Sequence, residues 1–132
     1  MKNTRTLAYW ITTGLLAFAF AGGGLLDLSG SPEVAAQMSH LGYPAYFATL
    51  LGAWKVLGAL AILAPGMPRL KEWAYAGMVF DLTGAVVSHA AVGDAIGQLV
   101  PPVVLLGLLA VSWALRPAGR MLAGRPVVSS ER

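Results

Sequence analysis

Three ionisable side chains, Lys55, Asp81 and His89, stand inside stretches of sequence that are otherwise apolar. An isolated charge at the centre of a bilayer costs at least about 2.5 kcal/mol, so Lys55 and Asp81 are expected to face inward and to meet. They lie equally far along the chain from Pro68, at the centre of a proline-bounded turn, and an antiparallel hairpin would bring them to one depth. A buried Lys55–Asp81 ion pair is therefore expected. Such a pair either fixes the register of two helices, each charge offsetting the other's desolvation, or forms part of a proton-linked or ligand-binding site. His89 follows Ser88 near the far end of the segment that carries Asp81. A neutral imidazole there could relay protons, hydrogen-bond a lipid-soluble ligand or bind a metal. Trp54, beside Lys55, could line the same pocket or pack against lipid. The expected ligand-binding set is thus Lys55, Asp81, His89, Ser88 and Trp54, with no catalytic residue and no metal centre assigned. His40, Glu33, Asp27 and Asp94 are expected at the same end as His89, but their spacing matches no metal motif such as HExxH.

The elements that must position these groups are long and oily. The chain has 132 residues, 57% apolar and only 11% charged, with a mean hydropathy of +0.68, a balance too poor in charge for a soluble surface. A helix needs roughly 20 mostly apolar residues to cross a bilayer. Four segments fit, at about 7–26, 45–64, 72–91 and 96–115, and predict an all-α, integral membrane four-helix bundle over residues 1–116. Pro101 and Pro102 fall inside the fourth, which either starts near them or kinks there. Between the first two segments, Ser31-Pro32-Glu33 opens a short amphipathic helix at the membrane surface, ended by Gly42-Tyr43-Pro44. Gly22-Gly23-Gly24 marks a place where helices pack closely. A cleaved signal peptide is the rival reading of the first segment.

Small residues at helical spacing, Ala74, Gly77, Asp81, Gly84 and Ser88, make one inward stripe of the third segment; Tyr75, Val79, Leu82 and Val86 make the opposite, lipid-facing one. Glu72 sits where a first-turn carboxylate would stabilise the start of that helix. The tryptophans and tyrosines mostly fall near span ends, as in an aromatic belt.

Lys and Arg cluster before the first segment (Lys2, Arg5), between the second and third (Arg69, Lys71) and after the fourth (Arg116, Arg120, Arg125, Arg132). In a four-span topology all three clusters lie on one side, which places both termini in the cytoplasm and the protein in the inner (plasma) membrane. Residues 117–132 read as a basic cytoplasmic tail without fixed structure. The net charge of +3 is spread over ends and one turn, so nucleic acid is not an expected partner. The absence of Cys removes thiol chemistry, and phosphate loops, dinucleotide fingerprints and nucleophile elbows are also lacking.

Leu41-Gly42-Tyr43-Pro44, Leu51-Gly52-Ala53-Trp54-Lys55-Val56-Leu57-Gly58, the run from Pro65 through Glu72-Trp73-Ala74-Tyr75-Ala76-Gly77, and Ser88-His89 together resemble the bacterial DoxX-like membrane proteins. The resemblance covers about residues 9–115 and is most specific in the centre. It implies a four-helix membrane bundle and singles out Lys55, Glu72, Trp73 and His89. It implies little about activity, since the family takes its name from a subunit associated with a thiosulfate:quinone oxidoreductase while most members have no assigned one. The leading functional expectation is a non-catalytic inner-membrane protein. It would bind a lipophilic small molecule or a membrane partner, a second copy included, through a polar intramembrane pocket. A quinone-linked redox subunit, with quinone as cofactor at His89, and a small transporter are the alternatives.

Overall fold

The computed structural model describes residues 2–121, which fold into helices joined by short connections. The five helices are α1 (Lys2–Leu28), α2 (Pro32–Leu41), α3 (Tyr46–Leu63), α4 (Pro68–Ala91) and α5 (Ile96–Ala114), followed by one 3-10 turn at Ala118–Arg120. Three of them, α1, α3 and α5, are long and apolar enough to cross a membrane. α4 is 24 residues long, but Arg69, Lys71, Glu72 and Asp81 lower its hydropathy.

The segments begin and end for local reasons. Ser31 caps α2, its Oγ accepting from the Val34 amide at 3.3 Å, and Pro32 occupies the first turn, where no amide is needed. Gly42, at φ 85, closes it by donating to the Met38 and Ser39 carbonyls. Gly66 and Met67 both take positive φ in the sharp turn before α4. This lets the helix start at Pro68, earlier than the expected 72, so Glu72 is no longer in the first turn. Pro101 and Pro102 lie within α5, which runs unbroken from Ile96; the start at the prolines is not the one taken.

α1, α3, α4 and α5 form a ring in which α1 touches α3 and α5, and α4 touches α5 and α3. α1 and α3 come closest. A Cβ on Gly24 would lie 2.8 Å from the Gly52 carbonyl oxygen, and one on Gly52 2.7 Å from that of Gly24. Gly22 and Gly23 have open space beside them, so only the last glycine of the triplet is required by packing.

The core is built by Leu16, Phe20, Ile62, Tyr75, Met78, Leu82 and Leu109. It includes a buried hydroxyl network, in which Ser112 Oγ shares hydrogen bonds with Thr13 Oγ1 at 2.6 Å and Tyr75 OH at 2.8 Å. Tyr75 and Leu82 thus face the core, not lipid, because α5 packs on that side of α4. Tyr9, completely buried, likewise belongs to the core and not to an aromatic belt. The side of α4 open to the surroundings carries Trp73, Phe80 and Val87.

At one end of the ring the basic side chains serve helix C-termini. Lys71 is completely buried, and its ammonium donates to the Ala61 carbonyl at 2.9 Å and to that of Ala64. Arg120 donates to Ile62 O at 2.9 Å and Leu63 O at 3.3 Å, while its guanidinium lies 4.7 Å from the Trp10 ring centre. Arg5 reaches Ala114 O at 3.3 Å, and Arg116 Nε donates to Trp113 O at 2.7 Å. The free carbonyls of a last helical turn carry partial negative charge, which these cations complement. Residues 117–121, expected to lack structure, are held in this way by Arg120; the rest of the expected tail lies outside the described residues.

Candidate functional site

On the ring's remaining side α3 and α4 part, leaving a cavity of 740 Å³ between them. The stripe of small residues on α4 makes this space. A Cβ on Gly77 or Gly84 would meet nothing within 4 Å, and both glycines, with Ala74, Asp81, Ala85 and Ser88, line the cavity. The small stripe, read from the sequence as the inward side of α4, borders this cavity, but the core-facing side is the bulky one with Tyr75, Met78 and Leu82, and the smallness of the stripe leaves room instead of allowing helix contact. α2 closes one end through Gln37, Met38 and Leu41, and the walls are largely aromatic and aliphatic, including Phe47, Leu51, Trp54 and Phe80.

The five expected ligand-binding residues, Lys55, Asp81, His89, Ser88 and Trp54, all border this one cavity. Their pairing differs from expectation. Lys55 Nζ donates to Asp27 Oδ2 of α1 at 2.8 Å, and Asp81 forms no ion pair among the described residues, although it stands close enough for the charges of Lys55 and Asp27 to act on it. The reason is the Gly24–Gly52 crossing. Asp27 lies one turn beyond Gly24 on α1, and Lys55 one turn beyond Gly52 on α3, so the two charges share the tightest helix contact in the molecule. A small residue three positions before a charge on both helices was the sequence signal for this pair.

His89 is nine-tenths buried and donates from Nδ1 to Asp94 Oδ2 at 2.6 Å. The other oxygen of Asp94 accepts from His40 Nε2 of α2, also at 2.6 Å. Asp94, in the connection between α4 and α5, therefore clamps α2 to the end of α4. Hydrogen bonds from His89 and then His40 hold its carboxyl below the ordinary value of 3.8. Tyr43 and Ser88 share a hydrogen bond of 2.6 Å beside this clamp. With Nδ1–H directed at a carboxylate, a neutral His89 ring keeps Nε2 as an acceptor. Among the described residues that atom has no partner, and it is not sealed from the cavity side. No three of the described His, Asp and Glu residues come together as a metal-binding group.

The remaining motif positions separate. Glu72 turns away from the cavity, pairing with Arg116 and accepting from Trp113 Nε1 at 3.2 Å, so it ties α4 to the end of α5. Trp73, on the next position, is exposed and borders the cavity at the end opposite α2. Asp27, Tyr43 and Asp94 were not in the expected set, because what recruits them is a helix crossing and a clamp between elements far apart in sequence.

No curated protein and no solved structure matches the chain. The sequence profile of the DoxX-like family matches residues 11–112, which takes in the whole of α2, α3 and α4, all the cavity residues named above and most of α1 and α5. The chain is therefore a member of the DoxX-like family, with helices apolar enough to cross a membrane.

Proposed function

We propose that this DoxX-like protein crosses the inner membrane four times with both termini in the cytoplasm, and that it holds a lipophilic small molecule in the cavity between α3 and α4 without catalysing a reaction. The observation that carries this reading is the cavity itself. Its volume of 740 Å³ falls within the roughly 300–1,000 Å³ of small-molecule sites, and it has their composition, mostly apolar walls with a few converging polar groups. The fourth crossing is α4. Its 24 residues extend about 36 Å, enough to span, and its charges other than Asp81 stand in the first turns, beside Arg116 and the C-terminus of α3. The orientation rests on Arg5, Lys71, Arg116 and Arg120 gathering at one end of the ring, the end enriched in cations on the cytoplasmic side of membrane proteins.

The quinone-linked alternative needs Nε2 of His89 to donate to a quinone carbonyl, which the ring does only with a proton on both nitrogens, because its Nδ1–H is already directed at Asp94. A membrane-partitioning aryl diazirine, photolysed in native membranes and mapped by peptide mass spectrometry, tests the proposal. Labels are expected on Trp54, Phe80 and Met78 as well as on the outer face of α1, and Gly84→Leu should suppress those in the cavity alone. Uniform labelling of exposed apolar residues, unaltered in the variant, would count against a ligand site. In the same membranes a single cysteine at Ala118 should react with a water-soluble thiol reagent only from the cytoplasmic face.

A further inference from the structure

The charged groups around the cavity do not balance. Lys55 is engaged by Asp27 at 2.8 Å, and Tyr43 and Ser88 are engaged with each other. What remains unmatched in charge is the Asp81 carboxylate, without an ion-pair partner among the described residues; Nε2 of a neutral His89, two helical turns further along α4, is a second acceptor, while the Gln37 amide and the indole N–H groups of Trp54 and Trp73 are uncharged donors. The formal charges facing Asp81 are Lys55 from α3 and Asp27 from α1; among the lining residues α2 contributes no charged side chain and α5 contributes none at all. Asp27, Lys55 and Asp81 therefore sum to one negative charge in a surrounding that disfavours any uncompensated charge. Aromatic rings also line the cavity, Phe47 and Trp54 from α3 across from Asp81, and Phe80 beside it on α4. Ring faces attract cations, most strongly where water is excluded.

From this juxtaposition of a spare carboxylate, a second acceptor and an aromatic wall inside one cavity, we infer that the ligand is a lipophilic amine, bound as its ammonium at Asp81 in exchange for a proton. This rests on reading the cavity as a ligand site and names the chemical class it takes. In the empty protein the missing positive charge is supplied by a proton on Asp81. When the ammonium enters, the carboxyl O–H bond breaks, the proton passes to water, and an ammonium–carboxylate pair takes its place, so the charge inside the membrane is unchanged. The ammonium hydrogens face Asp81 and the hydrocarbon part fills the space left by Gly77 and Gly84.

The test is equilibrium binding of N-benzyloctylamine and of its uncharged counterpart benzyl octyl ether to the purified full chain, at a pH well below the amine's own pKa. Saturable amine binding at least tenfold tighter than that of the ether is expected. One proton should be released per amine bound in weakly buffered solution, and affinity should fall as the medium is acidified. Asp81→Asn should weaken amine binding by at least tenfold while leaving the ether unchanged, which also shows that the variant is folded, and Asp81→Glu should restore the preference. Equal binding of amine and ether that Asp81→Asn does not alter would overturn the inference and leave the cavity reading standing. Amine binding without proton release would overturn the exchange, and absence of saturable binding of either probe by the unaltered protein would overturn both the inference and the proposed function.

Discussion

Lys71 shows how far a side chain's role can depart from its apparent class. In the sequence it is one of a pair of basic residues in a turn, and with Arg69 it reads as a marker of the cytoplasmic side. In the fold the two diverge. Arg69 is exposed, while Lys71 is completely buried with its ammonium on the Ala61 and Ala64 carbonyls. Nothing in the residue types separates them; the difference arises because α4 begins at Pro68 and turns position 71 toward the end of α3. Lys71→Met should leave those carbonyls without a donor and cost about 1–3 kcal/mol. Arg69→Met should stay within about 0.5 kcal/mol. Thermal unfolding in detergent checks both, and equal midpoints for the two variants would contradict the capping role. A related limit applies to Lys55. Its depth and its inward direction follow from the position of the turn, but the choice between Asp27 and Asp81 does not. Both carboxylates border the same cavity, and only the close approach of Gly24 to Gly52 places Asp27 within reach.

Among the elements, α2 and α4 carry most of what the sequence left open. The cap, proline and glycine that delimit α2 are local signals and were readable as such. Its attachment was not, because His40 at the end of α2 and Asp94 in the α4–α5 connection are separated by two helices. Through Asp94, α2 is held to His89 and so forms the end wall of the cavity instead of lying free on the bilayer. Asp94→Asn should loosen α2 and raise amide exchange across Pro32–Leu41 with little change in α1. The pH dependence has a definite sign. The folded-state carboxyl of Asp94 titrates below its ordinary 3.8, so its contribution is complete above that value and is lost as pH falls through the lower folded-state value. Exchange in α2 should therefore stay low down to mildly acid pH and rise only in strongly acid medium; a rise between pH 7 and 5 would contradict the clamp. For α4 the periodicity separated a small face from a bulky one, but the assignment of the bulky face to lipid failed at Tyr75 and Leu82. Hydropathy alone does not distinguish lipid from a neighbouring helix, and the hydroxyl of Tyr75 finds Ser112 only once α5 is in place.

For the molecule as a whole, four helices close a ring on three sides and leave the fourth ajar. Tight packing where glycines meet on α1 and α3, hydroxyl bonds joining α1, α4 and α5, and cations on the helix ends hold the closed sides. On the open side the residues are small and their neighbours are absent, so the space is a consequence of the sequence and not of incomplete packing. That is why a larger residue there should be tolerated. Leucine in place of Gly84 meets no atom at its Cβ and gains helix propensity, by less than the roughly 0.8–1 kcal/mol that separates alanine from glycine, so the fold should be kept while the cavity fills. Native mass spectrometry of the protein extracted with its own lipids, compared between the unaltered chain and Gly84→Leu, tests the ligand site most directly. One small lipophilic molecule should be retained per unaltered chain and be lost from an equally stable variant. An unaltered chain that emerges empty, or a variant that retains the same molecule to the same extent, would contradict the ligand site.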